Sequence, residues 1–180
     1  MNSSEEIPVY AKAEFVVYPE KILEDLTYFY HDPSRVYHGL LEMGVLNGEL
    51  EFTKNNMQLF LDQDIFMVNG LKKRLVVEDV SLSFLEGDFE RPCLHFKIRA
   101  EVEFFQGENR LEMVSEEEKA PYDFEIVWDF SLLERSKIIE VKSKLSYKID
   151  RQKSKISMKA FKGKLCGGHE VIKVLLVSSF

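Results

Sequence analysis

The chain has little cysteine: Cys93 and Cys166 are its only two in 180 residues. One distant pair is not a disulfide framework. It reads as two reduced thiols, the usage expected of a cytoplasmic protein. No apolar run approaches the roughly 18 residues of a membrane helix, so no membrane span is expected. The opening Met1-Asn2-Ser3-Ser4-Glu5-Glu6 is polar and acidic. It lacks the basic start and apolar stretch of a signal peptide. A basic excess is missing too. The net charge of −7 argues against general nucleic-acid binding, which needs a basic footprint. Glycine-rich phosphate loops and dinucleotide-type glycine patterns are absent. Glutamine is scarce while Glu and Lys are abundant, which leans towards a thermophilic source.

What is present is alternation. Leu94, Phe96, Ile98, Ala100, Val102 and Phe104 fall on one face, and His95, Lys97, Arg99, Glu101 and Glu103 on the other. A period of two over that length predicts a half-buried β-strand. Similar stretches recur from about residue 49 to 177, and the 14 Phe and 7 Tyr favour strands. Expected strands include 9–18, 49–53, 57–61, 64–68, 73–84, 93–105, 111–114 and 138–149. Phe124, Ile126, Trp128 and Phe130 share a face in another, and Ile139, Val141, Leu145, Tyr147 and Ile149 in the one at 138–149. Asn69-Gly70 predicts a tight hairpin, since both residues tolerate positive φ. Gly167-Gly168 predicts the last turn. The run Val171 to Val177 is apolar on both sides. It is expected at the centre of a sheet, beneath a helix, or at the interface of a homodimer.

One helix is expected. Pro19 suits a first helical turn, and Ile22, Leu26 and Phe29 follow at helical spacing. Asp32-Pro33 breaks and restarts it, with Val36, Tyr37, Leu40 and Leu41 as the next stripe and Gly44 as a stop. The predicted fold is therefore α+β and predominantly antiparallel β. It is a long meander, as a curved sheet or barrel, with one kinked helix near residues 20–43. No linker marks a second domain, so residues 1–180 are expected to form one, with 1–6 as a frayed tail.

Motifs of chemical weight are few. His31, Asp32 and His38 could supply three metal ligands, but Pro33 divides them and the spacing fits no zinc signature. Cys93 and His95 face one side of a strand roughly 6–7 Å apart, too far for a thiolate dyad. No metal or cofactor is expected. Between Lys137 and Lys164 lie ten basic residues against Glu140 and Asp150. A solvated set of strand faces explains them, with an anion or acidic-partner patch as the alternative.

The polar face of the strands is the strongest constellation. Lys97, Arg99, Glu101 and Glu103 share a face, Lys142, Lys144 and Lys148 share another, and Glu49 and Glu51 a third. Turned inward in a closed sheet, they would line a charged tunnel. Such a lining is similar to that of the triphosphate tunnel metalloenzymes. The resemblance implies basic residues holding a polyphosphate and acidic ones holding a divalent metal. Glu49-Leu50-Glu51-Phe52-Thr53-Lys54 places the lysine one position away from that family's Glu-x-Glu-x-Lys pattern. The lysine would then be on the opposite strand face, and no family is assigned.

The function expected from the sequence is a non-enzymatic β-rich binding or interaction domain. Its site would be the crevice between sheet and helix, with Tyr28, Tyr30, Tyr37 and His38 contacting a small apolar ligand or a protein partner. The alternative is a metal-dependent phosphohydrolase using Lys97, Arg99, Glu101, Glu103, Lys142 and Lys144 in a tunnel.

Overall fold

A computed structural model describes residues 8–177. The tail expected over residues 1–6 lies outside them. Twelve strands and two helices follow in chain order: β1 (Tyr10–Val17), β2 (Lys21–Phe29), α1 (Val36–Glu42), α2 (Leu46–Leu61), β3 (Ile65–Val68), β4 (Leu71–Lys73), β5 (Val76–Phe84), β6 (Pro92–Glu101), β7 (Gly107–Lys119), β8 (Asp123–Asp129), β9 (Ser136–Lys142), β10 (Ser146–Ile149), β11 (Lys155–Ala160) and β12 (Leu165–Leu176). The protein is α+β and mostly antiparallel strand, as the alternation predicts.

The strands form two sheets, one of seven strands in the order β10-β11-β8-β1-β2-β6-β5 and one of five in the order β4-β3-β7-β12-β9. Neither closes into a barrel. Instead the sheets share one apolar core, with Phe15, Ile22, Leu94, Ile98 and Ile156 from the first meeting Phe66, Leu111, Ile138 and Val174 from the second. After β2 the chain passes repeatedly from one sheet to the other rather than running as a single meander. It also contains a parallel pair, β1 with β8.

β6 follows its alternation. Phe96, Ile98 and Val102 are buried and Phe104 half-buried, while Lys97 and Glu101 are exposed. Trp128 is buried between Phe15, stacked at a centroid distance of 4.0 Å, and Phe130 at 6.0 Å. The apolar C-terminal strand β12 is central, hydrogen-bonded to β7 on one side and β9 on the other. That is the first of the three settings its sequence allows.

The helix expected over 20–43 is corrected. Residues 21–29 form strand β2, and Pro19 sits in the two-residue turn of a β1–β2 hairpin, closed by Tyr18 N donating to Lys21 O at 2.8 Å. Ile22 and Leu26 are spaced for either period, because four residues is two strand repeats as well as about one helical turn. The choice between the two rests on position 24, where a glutamate hides the alternation. Asp32 does organise the following helix: its carboxylate accepts from Tyr37 N at 3.2 Å. Helix α1 begins only at Val36, after a turn in which Arg35 has φ 53°. Gly44, at φ 72°, ends that helix as expected.

The strands expected at 49–53 and 57–61 are also corrected: both lie in α2. Leu46, Leu50, Thr53, Met57 and Leu61 are its half-buried stripe, at the three- and four-residue steps of a helix. Alternation over five residues was too short to compete with that stripe. The strand at 138–149 divides into β9 and β10 around Ser143, whose hydroxyl accepts from Leu145 N at 3.0 Å. Of the expected face Leu145 is buried and Val141 half-buried, but Ile139, Tyr147 and Ile149 are exposed and Ile138 is buried instead, so the face does not run unbroken through the break. The strand expected at 111–114 is part of a longer one, β7, which runs on to Lys119. Gly167-Gly168 is a bulge within β12, where the pairing register with β7 shifts between Cys166 and Gly168.

Candidate functional site: an acidic cavity between the sheets

Strand β1 presents Ala11, Ala13, Phe15 and Val17 to the core. Facing sheets stand about 10 Å apart and need large side chains to fill the gap. Two consecutive inward alanines do not fill it. A cavity of about 450 Å³ opens over them, bounded by Glu24, Leu26 and Tyr28 of β2, Met113 and Ser115 of β7, Phe124 and Ile126 of β8, and Cys166 and Glu170 of β12. Met57, Phe60 and Leu61 of α2 cover its side. Phe60, Gln63, Glu116 and Glu118 are exposed and mark where the lining meets solvent. A smaller space of about 120 Å³ shares Phe15, Met113, Ile126 and Glu170 with it. This second space runs on to apolar Phe66, Leu111, Trp128 and Ile172.

The polar part of the lining is acidic: Glu24, Asp64, Glu116, Glu118, Glu125 and Glu170, with no Lys, Arg or His among the described lining residues. These carboxylates differ in their surroundings. Glu125 is paired with Lys159, which holds it below the usual carboxylate range. Glu170 accepts from the Ser143 hydroxyl, yet burial pushes it up against the opposing effects of Ser143 and Lys144. Burial, then the Glu118 charge, raises Asp64.

Glu24 is the most isolated. It is 8% exposed, and among the described residues no hydrogen bond or ion pair reaches its carboxylate. Its cross-strand neighbours are Phe15 on β1 and Ile98 on β6. Along its own face stand Ile22 and Leu26. With most of its hydration removed and no protein partner supplied, its pKa is pushed up to about 8, chiefly by burial and secondly by Asp25. Further along the face, the hydroxyls of Tyr28 and Tyr122 hydrogen-bond to one another, and burial raises both.

A bulge shapes one wall. Gly167 has φ 75°, and a Cβ there would stand 2.2 Å from the Glu116 carbonyl oxygen. Only glycine allows β12 to approach β7 so closely at this point. Burial, with Glu118 and Glu170 nearby, raises the adjacent Cys166 thiol, which disfavours a nucleophilic thiolate. Cys93 lies on the other sheet, and both cysteines are free.

Of the four residues expected at an apolar site, Tyr28 lines the cavity, from a strand rather than a helix. Tyr30 and Tyr37 continue an aromatic chain away from it, at centroid distances of 6.4 Å from Tyr28 to Tyr30 and 6.1 Å from Tyr30 to Tyr37. His38 is elsewhere, stacked on Phe89 at 3.9 Å. Of the charged-face residues, Lys97, Arg99 and Glu101 lie on β6 of the seven-stranded sheet and Lys142 on β9 of the other, while Glu103 and Lys144 lie outside the strands. Lys97, Glu101, Glu103 and Lys142 are exposed. Arg99 pairs with Glu101, and Lys144 with Glu117. Glu49, Glu51 and Lys54 are helical. The basic stretch 137–164 includes Lys155 and Lys159 of β11, paired across the register with Asp129 and Glu125 of β8.

Among the described residues no group of three His, Cys, Asp or Glu is placed to hold a metal ion. His31 is exposed and Asp32 buried. His95 bonds Thr27 at 3.0 Å and Ser83 at 2.7 Å on the outer face of β6. No described helix is long and apolar enough to cross a membrane.

Sequence reasoning missed Glu24 and the two alanines. Their signal was an acid within the alternating set Ile22, Glu24, Leu26, Tyr28, and small residues at two successive core positions. Compared with known proteins, the chain matches no family model. No curated protein matches it either.

Proposed function

We propose that this protein is a non-enzymatic binding protein that holds a small, largely apolar molecule between its two sheets, beside α2. The observation that carries this reading is a cavity of about 450 Å³ between the two sheets, open to solvent on one side. That volume lies in the range of small-molecule sites, and apolar walls with a few polar groups are their usual lining. The apolar annex towards Trp128 gives such a molecule room for an extended end.

The test is a fluorescence titration with Nile red, an uncharged apolar dye, against the wild type and Ala13→Leu. Leucine at position 13 fills the floor of the cavity. Saturable one-to-one binding by the wild type and its loss in a folded Ala13→Leu variant are expected. Equal binding by both would place the dye elsewhere and remove the support for this site.

A further inference from the structure

We infer that the ligand carries a basic amine, seated on the carboxylate of Glu24, with its apolar body over Ala11 and Ala13. The inference rests on the apolar-ligand reading above and adds the chemical class of the head group.

The argument starts from burial. Glu24 is more than nine-tenths buried, lines the cavity, and has no partner among the described residues. Buried carboxylates are normally paired or hydrogen-bonded, because desolvation without compensation is costly. Here every immediate neighbour on its sheet face is apolar: Phe15, Ile98, Ile22 and Leu26. The protein therefore leaves a place for a cation and supplies none. An anionic ligand would meet Glu170, Asp64, Glu116 and Glu118 around the same space. A cationic one is favoured by all of them. The rings of Phe15, Tyr28 and Tyr122 also line the cavity, and aromatic faces attract ammonium groups.

Empty, Glu24 holds its proton near neutral pH. An ammonium group beside it favours the carboxylate, so the proton leaves to solvent as the ion pair forms. The other titratable groups around the space are Tyr28 on its own strand, Asp64 after α2, Glu116 and Glu118 on β7, Tyr122, Glu125 on β8 and Cys166 and Glu170 on β12, with Asp25 on the opposite face of β2. Glu125 is already held ionised by Lys159, and Glu170 is satisfied in part by Ser143 and Lys144. Asp64 is raised as well, by burial and Glu118, but Glu24 is pushed furthest, to about 8, and is the group whose charge changes on binding.

The experiment compares octylamine, octan-1-ol and octanoate by titration calorimetry at pH 7, in two buffers of different ionisation enthalpy. Wild type and Glu24→Gln are both used. Octylamine should bind the wild type at least about tenfold more tightly than octan-1-ol. Its heat should depend on the buffer, reporting proton release. In Glu24→Gln the release should vanish and the preference should fall several-fold, to what the remaining carboxylates supply, while octan-1-ol still binds. Octan-1-ol or octanoate binding the wild type as well as octylamine would overturn the amine assignment and leave the apolar-ligand reading intact. So would a preference that is undiminished in Glu24→Gln. The wild-type buffer comparison decides the matter without the variant. If none of the three binds, both readings fall.

Discussion

Glu24 and Phe15 stand directly opposite one another in the β1–β2 pair, so a carboxylate side chain shares its sheet face with a ring that is itself stacked on Trp128 at 4.0 Å. A core position thus carries an acid with apolar neighbours, beside the space left by Ala11 and Ala13. Positions that break the local pattern while the fold holds are where function is to be sought.

The first expectation is a pH dependence. Glu24 has a folded-state pKa of about 8 against an ordinary value of 4.5, so the folded state keeps a proton that the unfolded chain loses. Stability from this group is full below about pH 4.5 and declines as pH rises to 8, by a total on the order of 4 kcal/mol. Asp64 and Glu170, also raised, act with the same sign. Glu112 and Asp150, held low by their partners, contribute stability that is lost only as pH falls below the ordinary carboxylate range. Urea melts from pH 5 to 8 should show falling stability. Glu24→Gln should flatten the curve and be the more stable protein at pH 8. A wild-type curve that rises over that range would contradict the assignment.

A second expectation concerns the bulge. Gly167→Ala places a methyl group against the Glu116 carbonyl at positive φ, whereas Gly70, at φ 77°, has open space around it. Gly70→Ala should cost about 1 kcal/mol, and Gly167→Ala distinctly more, roughly 2–3 kcal/mol. Equal losses in denaturant melts would mean that the close approach at Gly167 relaxes freely.

Trp128 provides a third. It is 7% exposed and stacked on both sides. Trp128→Ala should lower stability by roughly 3–5 kcal/mol. A loss below about 1 kcal/mol would show that the ring is not part of the core.

The parts of the fold legible in the sequence were those where one face is wholly apolar. β6 alternates cleanly, and a one-residue slip would have reversed every side chain, so its buried face could be read directly. The Val171–Leu176 part of β12 was legible for the opposite reason: apolar on both sides, it had to be covered, and a central position is one of the three settings that allows. β2 was misread because Glu24 interrupts its inner face. α2 was misread because Asn47-Gly48 and Asn55-Asn56 have the composition of turns, yet these residues are exposed on the helix and the stripe from Leu46 to Leu61 settles it. The site itself needed the pairing of distant strands. No local pattern joins Ala13 to Glu170, and sheet order alone brings β1 and β12 to facing walls of one cavity.

The central claim, that a small apolar molecule occupies this cavity, is tested most directly by methyl NMR during titration with octan-1-ol. The methyl signals of Ala13, Met57 and Ile126 should shift together and saturate. Those of Ile139 and Val76, exposed on outer faces, should stay still. Shifts confined to the exposed Leu59 side of α2, or no saturable shift at Ala13, would contradict it.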